Sequence, residues 1–126
     1  MLHELPSREV LRTPARLTAH RIATQEVLSR LAHHENIVFV DARREEEWRQ
    51  ATETLPGAMR LAPRPQDETL PIIPRGYSVV TFCTCPHEAS SSRVAEFLLA
   101  HGFTDVHPLY GGLAAWRRAG GPLQVC

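Results

Sequence analysis

Two short apolar runs restrict the fold of this chain more than any other feature. Ile37-Val38-Phe39-Val40 and Val79-Val80-Thr81-Phe82-Cys83 are rich in β-branched and aromatic residues and barely alternate with polar ones. A strand with one wet face alternates, whereas a continuous run fits a strand covered on both faces. Helix-patterned segments separate the runs from further short strands, an order that implies an α/β domain with a mostly parallel central sheet and helices on both faces.

The other elements follow from local signals. Arg21-Ile22 reads as a short strand. Thr24 caps a helix that runs to about His34, with Val27, Leu28 and Leu31 as its apolar stripe. A charged helix from Arg44 to Gln50 is anchored by Trp48. Leu55-Pro56-Gly57 is a turn, and Ala58 to Leu61 a short strand. Pro63, Pro65, Pro71 and Pro74 forbid long regular structure through the middle. Arg93 to His101 forms a helix with Val94, Phe97 and Leu98 inward and Gly102 after its end. Val106 to Leu109 is a strand, Gly111-Gly112 a tight turn, and Leu113 to Ala119 a final helix holding Trp116. The domain is expected to span 20–123, after a basic arm or linker at 1–19 and before a C-terminal tail at 124–126.

Composition excludes several classes. At 126 residues the chain fits one domain with a real core. Its formal net charge is zero, so no basic surplus points to nucleic acid. Nothing approaches a membrane span of about 18 apolar residues, and no signal peptide is present. Three cysteines without framework spacing favour a reducing, cytoplasmic setting.

Among those cysteines, Cys85 draws the chemistry. It closes the second apolar run and opens the polar stretch Pro86-His87-Glu88-Ala89-Ser90-Ser91, which feeds the helix beginning between Ser91 and Arg93. A cysteine at a strand tip before a helix N-terminus sits where backbone amides favour the reactive thiolate. Asp41 ends the first run in the same way, and carboxyl ends of strands are where open α/β sheets place ligands. Cys83 lies inside its strand and reads as core, while Cys126 reads as an exposed bystander. Cys83-Thr84-Cys85-Pro86-His87 matches no common zinc spacing, so no metal or other cofactor is expected. His87 is balanced between orienting a donor and being a solvated loop residue. Histidines 33, 34, 101 and 107 fall at element ends, where surface roles suffice.

Four pieces, in this order and spacing, resemble a rhodanese domain over about residues 20–123. They are Val38-Phe39-Val40-Asp41-Ala42-Arg43 with Glu47-Trp48; Leu55-Pro56-Gly57-Ala58 with Arg60-Leu61; the strand, Cys85, loop and helix unit; and Gly111-Gly112-Leu113-Ala114-Ala115-Trp116. In that family the helix after the catalytic loop runs to a Gly-aromatic pair, here Gly102-Phe103. Counting back from it by the family's usual span lands on Cys85 rather than Cys83. The resemblance implies a sulfurtransferase in which Cys85 takes a sulfane sulfur from a donor such as thiosulfate or a persulfide. Cys85 would hold that sulfur as a persulfide and pass it to a thiol or cyanide. Pro86, His87, Glu88, Ala89, Ser90 and Ser91 would form the substrate-binding loop, and Asp41, Arg43 and Arg60 would support it. Trp48 and Trp116 are taken as core anchors.

The loop departs from the commonest family pattern, which has arginine and glycine where Ser90 and Glu88 stand. With no cation in the loop and an added carboxylate, weak thiosulfate use is expected, improved by Glu88→Gln or Ser90→Arg, unless Arg43, Arg44 or Arg60 reaches the pocket. The loop also resembles that of rhodanese domains fused to bacterial membrane proteins of the DedA type. On that likeness the basic arm is a linker remnant and the domain works at the cytoplasmic face of a membrane. The alternative to an enzyme is a catalytically weak rhodanese-like binding or regulatory module. A cysteine phosphatase is rejected, because Ser91 stands where its phosphate-clamping arginine would be.

Overall fold

The computed structural model of the chain describes residues 19–66, 70–74, 76–84 and 88–126. The basic arm therefore lies outside the described residues, apart from Ala19. In chain order the elements are α1 (Thr24–Ala32), β1 (Ile37–Asp41), α2 (Glu45–Gln50), β2 (Glu53–Thr54), β3 (Met59–Arg60), β4 (Ser78–Phe82), α3 (Ala89–Ala100), β5 (Val106–Pro108), α4 (Gly112–Arg118) and β6 (Gln124–Val125). The central sheet has the order β3-β1-β4-β5, with every neighbouring pair parallel. The two apolar runs are its middle strands, paired from Ile37–Ser78 through Asp41–Phe82.

Alternation along those strands divides the core between the two faces of the sheet. Phe39, Val80 and Phe82 pack with Val27 of α1 and with Leu113 and Trp116 of α4. Val38, Val40 and Val79 pack with Val94, Ala95 and Leu98 of α3. Phe39 meets the Trp116 ring edge to face at 5.4 Å between centroids. Helices thus cover both sheet faces, which is why β1 and β4 carry no polar alternation.

Several boundaries differ from the sequence expectation. α3 begins at Ala89 rather than between Ser91 and Arg93. Its first turn, Ala89-Ser90-Ser91-Ser92, carries no large apolar residue to mark it. Ile22 forms only an isolated parallel bridge to Leu109 instead of a strand with Arg21. Glu53–Thr54 and Gln124–Val125 make a small antiparallel ladder, so the segment read as a tail is tied to the domain. Trp48 is the clearest correction. Read as a core anchor, it is 40 % exposed, with the Arg60 guanidinium 4.9 Å from its ring centroid. Its size suggested burial, but α2 buries none of its residues. Trp116 is fully buried and donates its indole N–H to the Pro122 carbonyl at 2.8 Å.

Candidate functional site

The carboxyl ends of the parallel strands form one edge of the sheet, and the chain crosses that edge between β4 and α3. Cys85, Pro86 and His87 lie outside the described residues, and the chain on either side of them frames their position. Upstream, Cys83 is buried and its carbonyl accepts the Leu113 N–H at 3.1 Å. Downstream, the Ser91 hydroxyl donates to the Glu88 carbonyl at 3.2 Å, and Thr81 of β4 donates its hydroxyl to the Ser91 carbonyl at 2.8 Å. These bonds fix the start of α3 against the end of β4. Ser91 is fully buried, Ser90 nearly so, and Ala89 is exposed. A twelve-residue helix thus begins two residues after His87, and its first-turn amides have no partner within the helix.

Glu88 is the residue whose role the structure changes most. It takes φ +53° and ψ +38°, the left-handed region that glycine enters without cost and other L-residues at about 1–2 kcal/mol. A glycine would take this backbone shape without strain. Its carboxylate is buried and does not add an uncompensated charge, contrary to the sequence expectation. It accepts from Arg21 Nη1 at 2.8 Å and from the Gly111 N–H at 3.2 Å. Arg21 also lies over the Tyr110 ring, 4.9 Å from its centroid. The bond to Glu88 holds the Arg21 pKa above its ordinary value.

Asp41, Arg43 and Arg60 occupy the carboxyl ends of β1 and β3. Arg43 is buried and makes a two-pronged pair with Asp41, Nε to Oδ1 at 2.9 Å and Nη2 to Oδ2 at 2.6 Å. The Arg43 N–H adds a 3.1 Å bond to Oδ1 and Thr54 a 3.3 Å bond to Oδ2. Arg43 also reaches the Glu53 carbonyl, which binds the β2 segment to β1. The hydrogen bonds that Arg43 donates to Asp41 raise its pKa and keep it charged despite burial. Arg60 donates to the Asp41 carbonyl at 3.1 Å, and desolvation lowers its pKa below the ordinary value.

Beside the start of α3 opens a groove of about 410 Å³, lined by Arg44, Glu45, Ala62, Pro63, Arg64, Ala89, Ser90 and Arg93. Of the three arginines considered from the sequence, Arg43 is committed to Asp41 and Arg44 lines this groove. Arg60 lines a neighbouring depression of about 310 Å³ that shares Glu45, Ala62 and Arg64 with it. Sequence reasoning missed Arg64 as a site residue and placed Arg93 only inside a helix. Arg93 directly precedes the inward Val94, so an outward, site-side position was legible in the pattern; Arg64 sits in an irregular Pro-rich stretch with no such signal. Among the described residues no group of three His, Cys, Asp or Glu could hold a metal ion. No helix among them is long and apolar enough to cross a membrane.

This architecture belongs to a known class. The family model of the Rhodanese-like domain matches residues 24–119, and the chain is a member of that family. It is 31 % identical to thiosulfate sulfurtransferase GlpE of Actinobacillus succinogenes, over 72 % of this chain and 78 % of that one. It is 30 % identical to a sulfurtransferase of Allochromatium vinosum, over 82 % of this chain and 94 % of that one. Among solved structures it resembles a Rhodopseudomonas palustris protein of unknown function, described as a possible tyrosine phosphatase. That match has a TM-score of 0.66 and 23 % identity, covering 84 % of this chain and 85 % of the other. At that identity the last likeness is one of fold.

Proposed function

We propose that the chain is a sulfurtransferase that carries sulfane sulfur on Cys85. The supporting observation is the frame around it. Cys85 falls between the carboxyl end of β4 and the start of α3, both held by the Thr81–Ser91–Glu88 bonds, in a family whose curated relatives are named sulfurtransferases. In the first half-reaction the Cys85 thiolate attacks the outer sulfur of thiosulfate. The thiosulfate S–S bond breaks, sulfite leaves with its electron pair, and a persulfide anion remains on Cys85. The first-turn amides of α3 offer that anion a favourable field. An acceptor thiol then removes the sulfur. Asp41, Arg43 and Arg60 have a supporting role, fixing the sheet edge from which the loop departs.

A phosphatase finds no support in the site. Phosphate capture needs a bidentate arginine at the loop's end. Here Ser90 and Ser91 hold that end, while Arg93 lies further along α3. Intact mass spectrometry after thiosulfate tests the reading directly. Wild type should gain one sulfur atom, mapped to the Cys85 peptide, and Cys85→Ser should gain none. An adduct on Cys83 or only on Cys126 would overturn the assignment, and no adduct at all would favour a binding or regulatory module.

A further inference from the structure

On β5, His107 stands between two oxygens that can only accept hydrogen bonds. Its Nε2 lies 2.8 Å from Asp105 Oδ1, and its Nδ1 lies 2.7 Å from the backbone carbonyl oxygen of His20. A neutral imidazole has one N–H and one lone pair, so it satisfies only one of these oxygens. The imidazolium has two N–H groups and satisfies both. The two short contacts therefore coexist only while His107 is protonated. Loss of a proton sets a lone pair against an oxygen at one end of the ring. The ionised carboxylate is the stronger acceptor, so the N–H stays on Nε2 and the bond to His20 is lost. Ser78 donates its hydroxyl to the other Asp105 oxygen, and this bond, then His107, holds the Asp105 carboxyl below the usual carboxylate range. The charged groups around the pair come from few elements among the described residues. α1 brings Arg30, which acts on Asp105 and is itself paired with Glu26 at 2.7 Å and influenced by Glu35. The segment before α1 brings His20, whose side chain is exposed, and β4 lays the uncharged Val80 beside His107.

The residue after His20 is Arg21, which binds Glu88 at the start of α3 and lies over the Tyr110 ring. On its far side Ile22 is fixed to the end of β5. Its N–H reaches the Pro108 carbonyl at 2.9 Å, and its carbonyl accepts the Tyr110 N–H at 2.8 Å. Arg21 is thus held between two anchored neighbours, one of them anchored through the His107 ring. We propose that His107 is a proton-operated latch on the Cys85 loop. Protonated, it anchors His20 and keeps Arg21 on Glu88. When the Nδ1 proton leaves for solvent, His20 is released and the Arg21–Glu88 pair loosens. His107 is therefore a positioning residue that acts through Arg21 and Glu88, and its consequence at Cys85 rests on the sulfurtransferase reading. Histidine side chains change charge between about pH 5 and 8, so the latch closes on the acid side of that range and opens on the alkaline side.

Amide hydrogen exchange at Ile22, corrected for its intrinsic pH dependence, reads the latch without any sulfur chemistry. Wild type should be protected at about pH 5.5 and lose roughly threefold or more of that protection by about pH 8. His107→Gln does not titrate and should show the low value at both. Asp105→Asn is the sharper variant. Its amide oxygen can still accept from Ser78 while its NH2 donates to a neutral Nε2, which leaves the Nδ1 proton for His20. Protection in this variant should persist at the alkaline end. Sulfur uptake from thiosulfate reads the consequence as the ratio of wild-type to His107→Gln rates, which cancels the titration of Cys85 itself. That ratio should fall from roughly three at about pH 5.5 to about one at about pH 8. Protection in wild type that does not change with pH would overturn the latch, and so would an Asp105→Asn variant that loses protection as wild type does. Changing protection with a flat uptake ratio would overturn the link to Cys85. Changing protection in a protein that takes no sulfur from thiosulfate would instead overturn the sulfurtransferase reading and leave the latch standing.

Discussion

The Glu88 carboxylate lies 2.8 Å from the Arg21 guanidinium, although 67 residues separate them in the chain. Its other oxygen accepts the Gly111 N–H. One side chain therefore ties the start of α3 to the segment before α1 and to the turn before α4. This arrangement reverses the outcome expected from charge alone. Glu88→Gln should slow sulfur uptake by Cys85, not speed it, because the Arg21 charge would lose its partner. A loss of roughly three- to tenfold fits one charge-assisted bond discounted for the exposure of Arg21. Arg21→Leu should cost about as much, and the double variant little more than either single one. Stopped-flow uptake rates for the set check this, and additive losses would show that the two residues act separately.

The buried pair of Arg43 with Asp41 makes a stability prediction. Removing one partner strands a buried charge, a loss that typically costs about 3–5 kcal/mol. Asp41→Leu alone should therefore lower Tm by roughly 10 °C or more in a domain of this size. The double change Asp41→Leu/Arg43→Leu should recover part of that, since it leaves no orphaned charge. Calorimetric melts of the three proteins decide the point, and a double variant less stable than Asp41→Leu would contradict it.

How far these contacts could be foreseen depended on their range. β1 and β4 were legible because uninterrupted β-branched runs have few other uses in a chain of this length. Trp116 followed from the same pattern of apolar spacing. The sequence starts α3 too late because Ser90, Ser91 and Ser92 are polar, yet Ser90 and Ser91 are buried, and Ser91 is held by Thr81 and by the turn at Glu88. The β2–β6 ladder is too short to carry periodicity. The Arg21–Glu88 pair and the convergence of Arg44, Arg64 and Arg93 are tertiary facts, and no local window in the sequence contains them.

Gly112 carries a prediction about how closely α4 approaches the loop. Its φ is +60°, and a Cβ added there would collide with the Cys83 carbonyl oxygen. That carbonyl is backbone and already accepts the Leu113 N–H, so it cannot swing aside. Gly112→Ala should thus lose more than the ~1–2 kcal/mol of a left-handed L-residue. Gly57→Ala is the control, since Gly57 has φ +67° and open space around it. Denaturant melts should rank Gly112→Ala clearly below Gly57→Ala, and equal losses would remove the packing contribution.

Asp105 gives the pH dependence. Its carboxylate accepts from the Ser78 hydroxyl and meets His107 Nε2 at 2.8 Å, and these contacts lower its pKa in that order of weight. With the folded pKa below the unfolded value of about 3.9, the unfolded chain takes up the proton first. The stabilisation is therefore complete above that unfolded value and is lost as pH falls through the folded one. Because the side chain is about half exposed, the gain should stay under about 1 kcal/mol. Melting wild type and Asp105→Asn across the acid range should show a gap near neutrality that closes below about pH 4. A gap that persists in acid would mean the substitution acts through something other than charge.

The last prediction concerns the Cys85 thiol and follows from where α3 begins. The helix leaves the N–H groups of its first turn without internal partners, and they lie directly after the Cys85-Pro86-His87 segment. If they serve the sulfur, Cys85 should be alkylated with a pH midpoint below the ~8.5 of a free cysteine. Pro86 offers no N–H, so the donors must come from later residues. Ala89 is the first residue of α3, where proline costs the helix no internal bond while removing an N–H, and where it also forces Glu88 out of its left-handed turn. Ala89→Pro should accordingly leave the far-ultraviolet circular dichroism near that of wild type. Its alkylation midpoint should move up towards the free-cysteine value, with slower sulfur uptake in step. Alkylation rates measured against pH, with the labelled site assigned by mass, report both quantities. A Cys85 that reacts like free cysteine in wild type and variant alike would remove the activated thiolate, and with it the main physical reason to expect catalysis.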